Sequence, residues 1–205
     1  ASIEWHGDAP PDPIPLRHVD LPYPRQNAKW HTEDGPKTVE EAVIDFLGTQ
    51  HREAFHAENV FWTTTFGLLF WETLFAPVPG MLPSPFLSGP LDLGSEGFEH
   101  RRRDLIAKTR SNILNGCAGE LVGDAYSRLY GQRIQGVSWT KFPLALIQKA
   151  CAQIEPNALW FMMSQFLRNG RDAARGLPDL FVLRGEKGTV DSNILPPGVI
   201  LLEIK

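Results

Sequence analysis

Cysteine is nearly missing from this chain: Cys117 and Cys151 are its only two among 205 residues. Two thiols cannot found a disulfide framework, and neither belongs to a C-x-x-C unit, so a zinc site would need histidines as well. Reduced, buried thiols in an intracellular protein are the expectation. A long hydrophobic run is missing too. The most apolar stretch, 60–75, falls short of the roughly 20 residues that span a bilayer, and it carries Glu72. It reads as a buried helix, and no membrane partner is expected. Residues 1–5 lack the basic-then-apolar order of a signal peptide. Positive charge is not in excess: 20 Lys and Arg against 24 Asp and Glu leave a net charge of −4. That excludes a uniformly basic, histone-like binder while leaving room for a local basic channel. Neither G-x-x-x-x-G-K-[ST] nor G-x-S-x-G occurs, so no nucleotide cofactor and no serine-hydrolase chemistry are expected. The absence of repeats excludes filament and solenoid architectures.

What is present is ordinary globular composition, 42% hydrophobic and 21% charged, on a length ample to bury a core. Residues 1–38 are proline-rich, with Pro10, Pro11, Pro13, Pro15, Pro22 and Pro24. Such density cannot sustain a helix or a central strand, and the interspersed Ile14, Leu16, Val19, Leu21, Tyr23 and Trp30 suggest an extended strap lying across a folded surface. Thr38 and Glu41 form an S/T-x-x-E capping box that opens a helix over 39–47. A second helix is expected over 60–75, apolar nearly all round and therefore central. The Pro/Gly-rich stretch 77–90 reads as a loop. Helices follow near 98–115, 119–131, 144–154 and 156–168, the last opening on Pro156, a favoured first-turn residue. Two short apolar runs, 180–183 and 199–202, read as strands joined by a loop of about 15 residues. The fold class expected is α/β, a small mixed sheet flanked by helices.

The chemistry-bearing residues cluster at those strands. Pro178-Asp179 begins the first and Glu203-Ile204-Lys205 ends the second. Alternate side chains on a strand share a face, roughly 6 to 7 Å apart, so Glu203 and Lys205 point together while Ile200, Leu202 and Ile204 point into the core. If the strands pair, Asp179 reaches the face carrying Glu203. Two carboxylates at an apolar sheet edge repel one another and resist desolvation, and a divalent cation relieves both. Oxygen ligands suit Mg²⁺ or Mn²⁺. Lys205 could then orient a water beside a phosphate.

The pattern P-D-x23-E-I-K resembles the PD-(D/E)XK nuclease superfamily. Arg175-Gly-Leu-Pro-Asp-Leu-Phe-Val-Leu183 followed by Leu201-Leu-Glu-Ile-Lys205 is similar to the VRR-NUC nuclease domain. His56-Ala-Glu-Asn59 with the following run 61–75 resembles the H-G-E-G segment and helix of the Fanconi-associated nucleases, and Val39-Glu-Glu-Ala42 matches the helix before it. Ala57 and Asn59 stand where that family has glycines. The resemblance covers most of residues 39–205 and implies a restriction-endonuclease-like core with a helical insertion at about 77–155. It implies Asp179, Glu203 and the carbonyl of Ile204 as metal ligands, Glu58 completing the site, and Lys205 as the catalytic lysine. It also implies a fragment that stops at Lys205 short of the family's C-terminal helix and strand, the rest of the parent polypeptide being a partner.

The expected function is metal-dependent, structure-specific cleavage of branched DNA bearing a 5′ flap, with 5′-to-3′ exonuclease action, in interstrand-crosslink repair. Its location would be intracellular and DNA-associated: the nucleoid of a bacterium or the nucleus of a eukaryote. A Holliday-junction-resolvase-like nuclease and a non-catalytic branched-DNA-binding module are the alternatives. Arg168, Arg171 and Arg175 lead directly into Asp179 and are expected to touch DNA phosphates. The cluster Arg101-Arg102-Arg103, with Lys108 and Arg110, reads as the solvated face of an exposed helix. Trp62, Trp71 and the stripe Trp160 to Met163 with Phe166 read as core. His51, Glu53, His56 and Glu58 lie close in sequence, but H-R-E-A-F-H is not the zinc-binding H-E-x-x-H.

Overall fold

The computed structural model describes residues 21–27, 29–32, 34–49, 53–57, 59–84, 86–174, 177, 180–183 and 200–202, by backbone alone at 171 and 200–202. The first element corrects the expectation of a plain strap. Arg25–Gln26 (β1), Lys29–Thr32 (β2) and Gly35–Lys37 (β3) make a three-stranded antiparallel meander in the order β1-β2-β3. Proline does not prevent it, because 25–35 is proline-free and Pro36 sits opposite His31 on the edge strand β3, where a missing N–H costs no ladder bond. Residues 1–20 of the strap lie outside the described residues.

Helix α1, Val39–Thr49, starts where the capping box predicts. The Glu41 N–H donates to Thr38 Oγ1 at 3.3 Å, and the Thr38 N–H donates to Glu41 Oε2 at 2.8 Å. Replacing Thr38 by alanine leaves a first-turn donor without its acceptor, so Thr38→Ala should cost about 1 kcal/mol in a denaturant melt.

Strand β4, Ala54–His56, leads into α2, Asn59–Leu69, which kinks at Phe70 into the short α3, Trp71–Leu74. The kink is not an end: the Phe70 N–H donates to the Phe66 carbonyl at 2.9 Å and the Leu74 N–H to the Phe70 carbonyl at 2.8 Å. As its composition demands, α2 is buried almost all round. Its threonines find partners there. Thr65 Oγ1 donates to the Phe61 carbonyl, Thr63 Oγ1 to the Gly136 carbonyl, and the Ser138 N–H donates to Thr64 Oγ1. The loop of Gly136 and Ser138, which shares two of these bonds with α2, runs so close that a Cβ on Gly67 would lie 2.4 Å from Val137 Cγ2, and glycine is what lets it pass.

After the loop come Glu96–Arg101 (α4), Arg103–Leu114 (α5), Ala118–Leu129 (α6), Leu144–Gln153 (α7) and Pro156–Asn169 (α8). The expected single helix over 98–115 is thus divided at Arg102. Helices α2, α5, α6, α7 and α8 contribute to one continuous apolar core rather than to a separate appendage. Trp62, Met163 and Phe166 are buried in it, while Trp71, Trp160 and Phe161 pack against it from partly exposed positions. Cys151 is buried in α7, and burial pushes its thiol up to about 12. It is a small apolar side chain in effect. Cys117 is half-buried just before α6, and both thiols are free. No helix among the described residues is long and apolar enough to cross a membrane.

Leu180–Val182 (β5) and Ile200–Leu202 (β6) fall in the two expected apolar runs. They pair antiparallel, and β4 joins the other edge of β5, also antiparallel, giving the order β4-β5-β6. The sheet expected to be mixed is therefore antiparallel at both described pairings. Its central strand alone is reversed, so β4 and β6 run parallel on either side of β5. The expected loop between β5 and β6 lies outside the described residues.

Candidate functional site

The second sheet rests on aromatic packing. Phe55 of β4 and Phe181 of β5, register partners, stack with centroids 5.3 Å apart, and Phe61 of α2 meets Phe55 edge-on at 5.0 Å. Phe142 closes on Phe61 at 5.3 Å. Phe66 of α2 stacks on Phe166 of α8 at 5.1 Å, tying that platform to the helical core. Leu180, Phe181 and Val182 are fully buried. A strand buried on both faces holds its ends still, which a site on rigid elements requires.

The register brings three strand ends together. Leu180 is opposite His56 on one side and opposite Leu202 on the other. At this end of the sheet the chain leaves β4, enters β5 and leaves β6. At the far end the Leu183 N–H donates to the Glu53 carbonyl at 2.8 Å, which carries the β4–β5 pairing one step further. Of the residues expected to form the site, Glu58, Asp179, Glu203, Ile204, Lys205 and Arg175 lie outside the described residues. Among the described ones no group of three His, Cys, Asp or Glu side chains could hold a metal ion. Glu53, from the H-R-E-A-F-H run, instead takes an ion pair with Lys149 of α7.

Arg168 occupies the last turn of α8, exposed, with Nε 3.5 Å from Glu99 Oε1 of α4. Arg171 follows in the 3₁₀ turn Gly170–Ala174. The backbone at Gly170 is met closely by the loop before α4: a Cβ on Gly94, whose φ is +83°, would lie 2.9 Å from the Gly170 nitrogen. The end of α8 is thereby held against the loop before α4.

The arginine triplet corrects the sequence reading. Arg102 is not on a solvated face. Its side chain is fully buried, with Nη1 and Nη2 donating to the two oxygens of Asp92 at 2.8 and 3.0 Å and the guanidinium 4.2 Å above the Phe98 ring. Arg101 donates to Asp92 Oδ2 through Nε and Nη2 at 3.2 and 2.8 Å. Arg101 and Arg103 are exposed, as the sequence reading has them, Arg103 the more so. The helix breaks at Arg102, whose side chain turns inward to the nearly buried carboxylate that Arg101 also holds. Burial pushes the Asp92 carboxyl upward, but the hydrogen bonds from Arg102 and Arg101 outweigh it and hold the group below its ordinary range. A lone Asp in the apolar run P-L-D-L was the available signal.

The chain is 30% identical over 159 residues to the Fanconi-associated nuclease 1 homolog of Arabidopsis thaliana, with 76% of this chain covered. To the homolog of Schizosaccharomyces pombe it is 32% identical over 145 residues, 70% of this chain. The chain belongs to the Fanconi-associated nuclease family. A bacterial homolog, from Pseudomonas aeruginosa, is 31% identical over 147 residues, covering 71% of this chain. No family model matches. Among solved structures, paFAN1 bound to 5′ flap DNA with a gap superposes with TM-scores of 0.65 and 0.67 in two complexes. They are 29% and 27% identical and cover 72% and 83% of this chain. The chain spans 18, 20 and 26% of these three curated relatives and 27 and 31% of the two solved chains. Membership in the Fanconi-associated nucleases thus rests on a local region of larger proteins, and that region includes the mixture of helices and small sheets described above.

Proposed function

We propose that this chain is the catalytic part of a structure-specific DNA nuclease, built on a PD-(D/E)XK-type core and acting on branched DNA with a 5′ flap in interstrand-crosslink repair. The observation that carries the reading is the shared sheet end. Asp179 immediately precedes Leu180, Glu203 immediately follows Leu202, and Glu58 follows His56 by two residues, while His56, Leu180 and Leu202 are register partners. One peptide step spans about 3.8 Å, so chain connectivity alone would keep three carboxylates that are far apart in sequence near that end of the sheet. The names of the relatives and the flap DNA held by paFAN1 support the substrate class.

The donor set is oxygen throughout: the carboxylates of Asp179, Glu203 and Glu58 with the carbonyl of Ile204. That fits Mg²⁺ or Mn²⁺ and disfavours a soft ion. When bound there, such an ion supplies Lewis-acid polarisation of the phosphate and acidifies water. The ammonium of Lys205 would orient the attacking water and balance the anionic phosphate. Arg168, Arg171 and Arg175 would hold backbone phosphates and set the register of the duplex without reading sequence. The buried β5 beneath would keep the carboxylates from drifting apart. Hydrolysis would leave 5′-phosphate and 3′-hydroxyl ends, at DNA inside the cell.

The test is cleavage of a 5′-end-labelled flap duplex by the intact protein with Mn²⁺, repeated with EDTA and with unbranched duplex. Cutting near the branch that EDTA stops is expected. Binding without cutting of flap, single-stranded or four-way DNA would replace the reading with a scaffold.

A further inference from the structure

We propose that the aromatic corner at the end of α6, centred on Tyr130, is a stacking site for an unpaired base of the DNA. The inference deepens the nuclease reading and rests on it for its ligand, but its chemistry comes from residues outside the proposed cleavage site. Tyr130 directly follows α6 and is 61% exposed. It is nevertheless held in place. Its ring centroid lies 5.2 Å from that of Tyr126 and 5.7 Å from that of Trp139, and those two rings meet edge-on at 5.3 Å. Tyr126 Oη donates to the Trp139 carbonyl at 3.1 Å, and Trp139 Nε1 donates to the Gln132 carbonyl at 2.7 Å. These bonds close the loop 131–139 on itself and account for Tyr126 and Trp139 as parts of the fold. Tyr130 is left as a ring braced by two neighbours while most of its surface stays in water, which is a stacking platform made before any ligand arrives.

Charge names the class of ligand. From Ala125 to Ile154 the chain carries Arg128, Arg133, Lys141 and Lys149 and no Asp or Glu, although acidic residues outnumber basic ones in the whole sequence. Arg128 pairs with Asp124 and Lys149 with Glu53. Arg133, on the closed loop, and Lys141, two residues after Trp139, are exposed. An exposed ring among cations suits a ligand with a flat π face on an anionic backbone, and a single DNA strand offers both. A duplex keeps its base faces inside the stack, so it can meet the cations but not the ring.

The corner is anchored to the helix that starts at the proposed site. The Ser138 N–H donates to Thr64 Oγ1, and Thr63 Oγ1 donates to the Gly136 carbonyl. The loop is thus bound to the second turn of α2, about 6 Å along the helix axis from Asn59, the residue after Glu58. Phe142, three residues after Trp139, packs on Phe61 of α2 and on Phe55 of β4. Loop and sheet edge are therefore braced by the same aromatic packing. A single strand that leaves the duplex at that edge would meet the Tyr130 ring, and the base stacked there would distinguish branched DNA from continuous duplex.

Binding of a fluorescent 5′ flap DNA and of a fully paired duplex to the intact protein is measured in EDTA, for the unmutated chain, Tyr130→Ala, Tyr130→Leu and Tyr130→Phe. Losing one stacked base should weaken flap binding about fivefold or more in the Ala and Leu variants. The Phe variant should keep it, and duplex binding should not change in any of the three. The salt dependence of flap binding should also stay, because no charge is removed. A single abasic position is then moved along the flap. At one position it should cost the unmutated protein the same factor and cost Tyr130→Ala nothing more, because one contact is lost only once. Flap binding indifferent to Tyr130→Ala, or abasic losses equal in both proteins at every position, overturns the inference. So does Tyr130→Leu binding as well as Tyr130→Phe, which would mean apolar packing rather than stacking. A lowered melting point with unchanged flap binding would assign the ring to another part of the polypeptide and overturn it too. Failure of the nuclease reading is seen separately, as absence of metal-dependent cutting by a protein whose flap affinity still falls with Tyr130→Ala.

Discussion

Asp179→Ala should abolish metal-dependent cleavage of a 5′ flap while leaving flap binding nearly intact. The residue lies one step before a fully buried strand and supplies, in the proposed site, a ligand that cannot be replaced from its neighbours: Pro178 and Leu180 offer no side-chain oxygen. A metal contributes several kcal/mol of transition-state stabilisation, so its loss corresponds to about a thousandfold in rate or more. Binding should hold, because affinity comes mainly from phosphate contacts made by other side chains. Removing a carboxylate from the proposed duplex-binding face also removes its repulsion of the phosphates. Single-turnover cleavage and anisotropy on one preparation make the check. A variant that cuts within tenfold of the unmutated protein would remove Asp179 from the site.

The largest effect on stability is expected at Arg102. Truncating it strands Asp92 beneath the α4–α5 break, and breaking a buried pair in this way costs about 3 to 5 kcal/mol. The lower end should apply, since Arg101 keeps its own hold on Asp92. At this chain length that corresponds to a melting point lower by roughly 6 to 12 °C. Arg102→Ala combined with Asp92→Ala should lose less than the two single losses added, because the coupling between contacting partners is counted once. Acid gives an independent reading. Asp92 is held below its ordinary value of 3.8, so its contribution is complete above that pH and disappears as pH falls through the lowered value. Asp92→Asn should therefore be less stable than the unmutated protein at neutral pH, and the gap should close in acid. A gap that stays constant down to the acid limit would show that the pair contributes no pH-dependent stability.

Much of the helical architecture could be read from residue type alone. Thr38 with Glu41, Pro156, and the apolar run around Phe66 each encode a local preference that the fold keeps, and so do the two short runs that became β5 and β6. What escaped were features decided by distant partners. Ala54, Phe55 and His56 carry no pattern long enough to mark a strand; they form one only because Phe181 and its neighbours lie opposite. The meander of β1–β3 escaped because the prolines around it signal extension without saying what pairs with what. Arg102 looks like any surface arginine until Asp92, ten residues earlier, is seen beneath it. The site divides the same way. The strand ends next to Asp179 and Glu203 follow from two apolar runs, whereas Glu58 entered only through family likeness, and its link to that edge depends on β4.

His56 and Leu180 sit side by side although about 120 residues separate them, and all but one of the α-helices among the described residues lie in between. Bringing such remote positions together has an entropic cost that grows slowly with length but must be met before any reward arrives. Condensation of the helices between them shortens the loop that this pairing has to close. In the proposed nuclease this acts as a safety interlock. A heat-loosened chain carries every acidic residue of the proposed site yet cannot gather them, and a nascent one still lacks Asp179 and Glu203, so the power to cut DNA would switch on only with completion of the fold and switch off with its first cooperative opening.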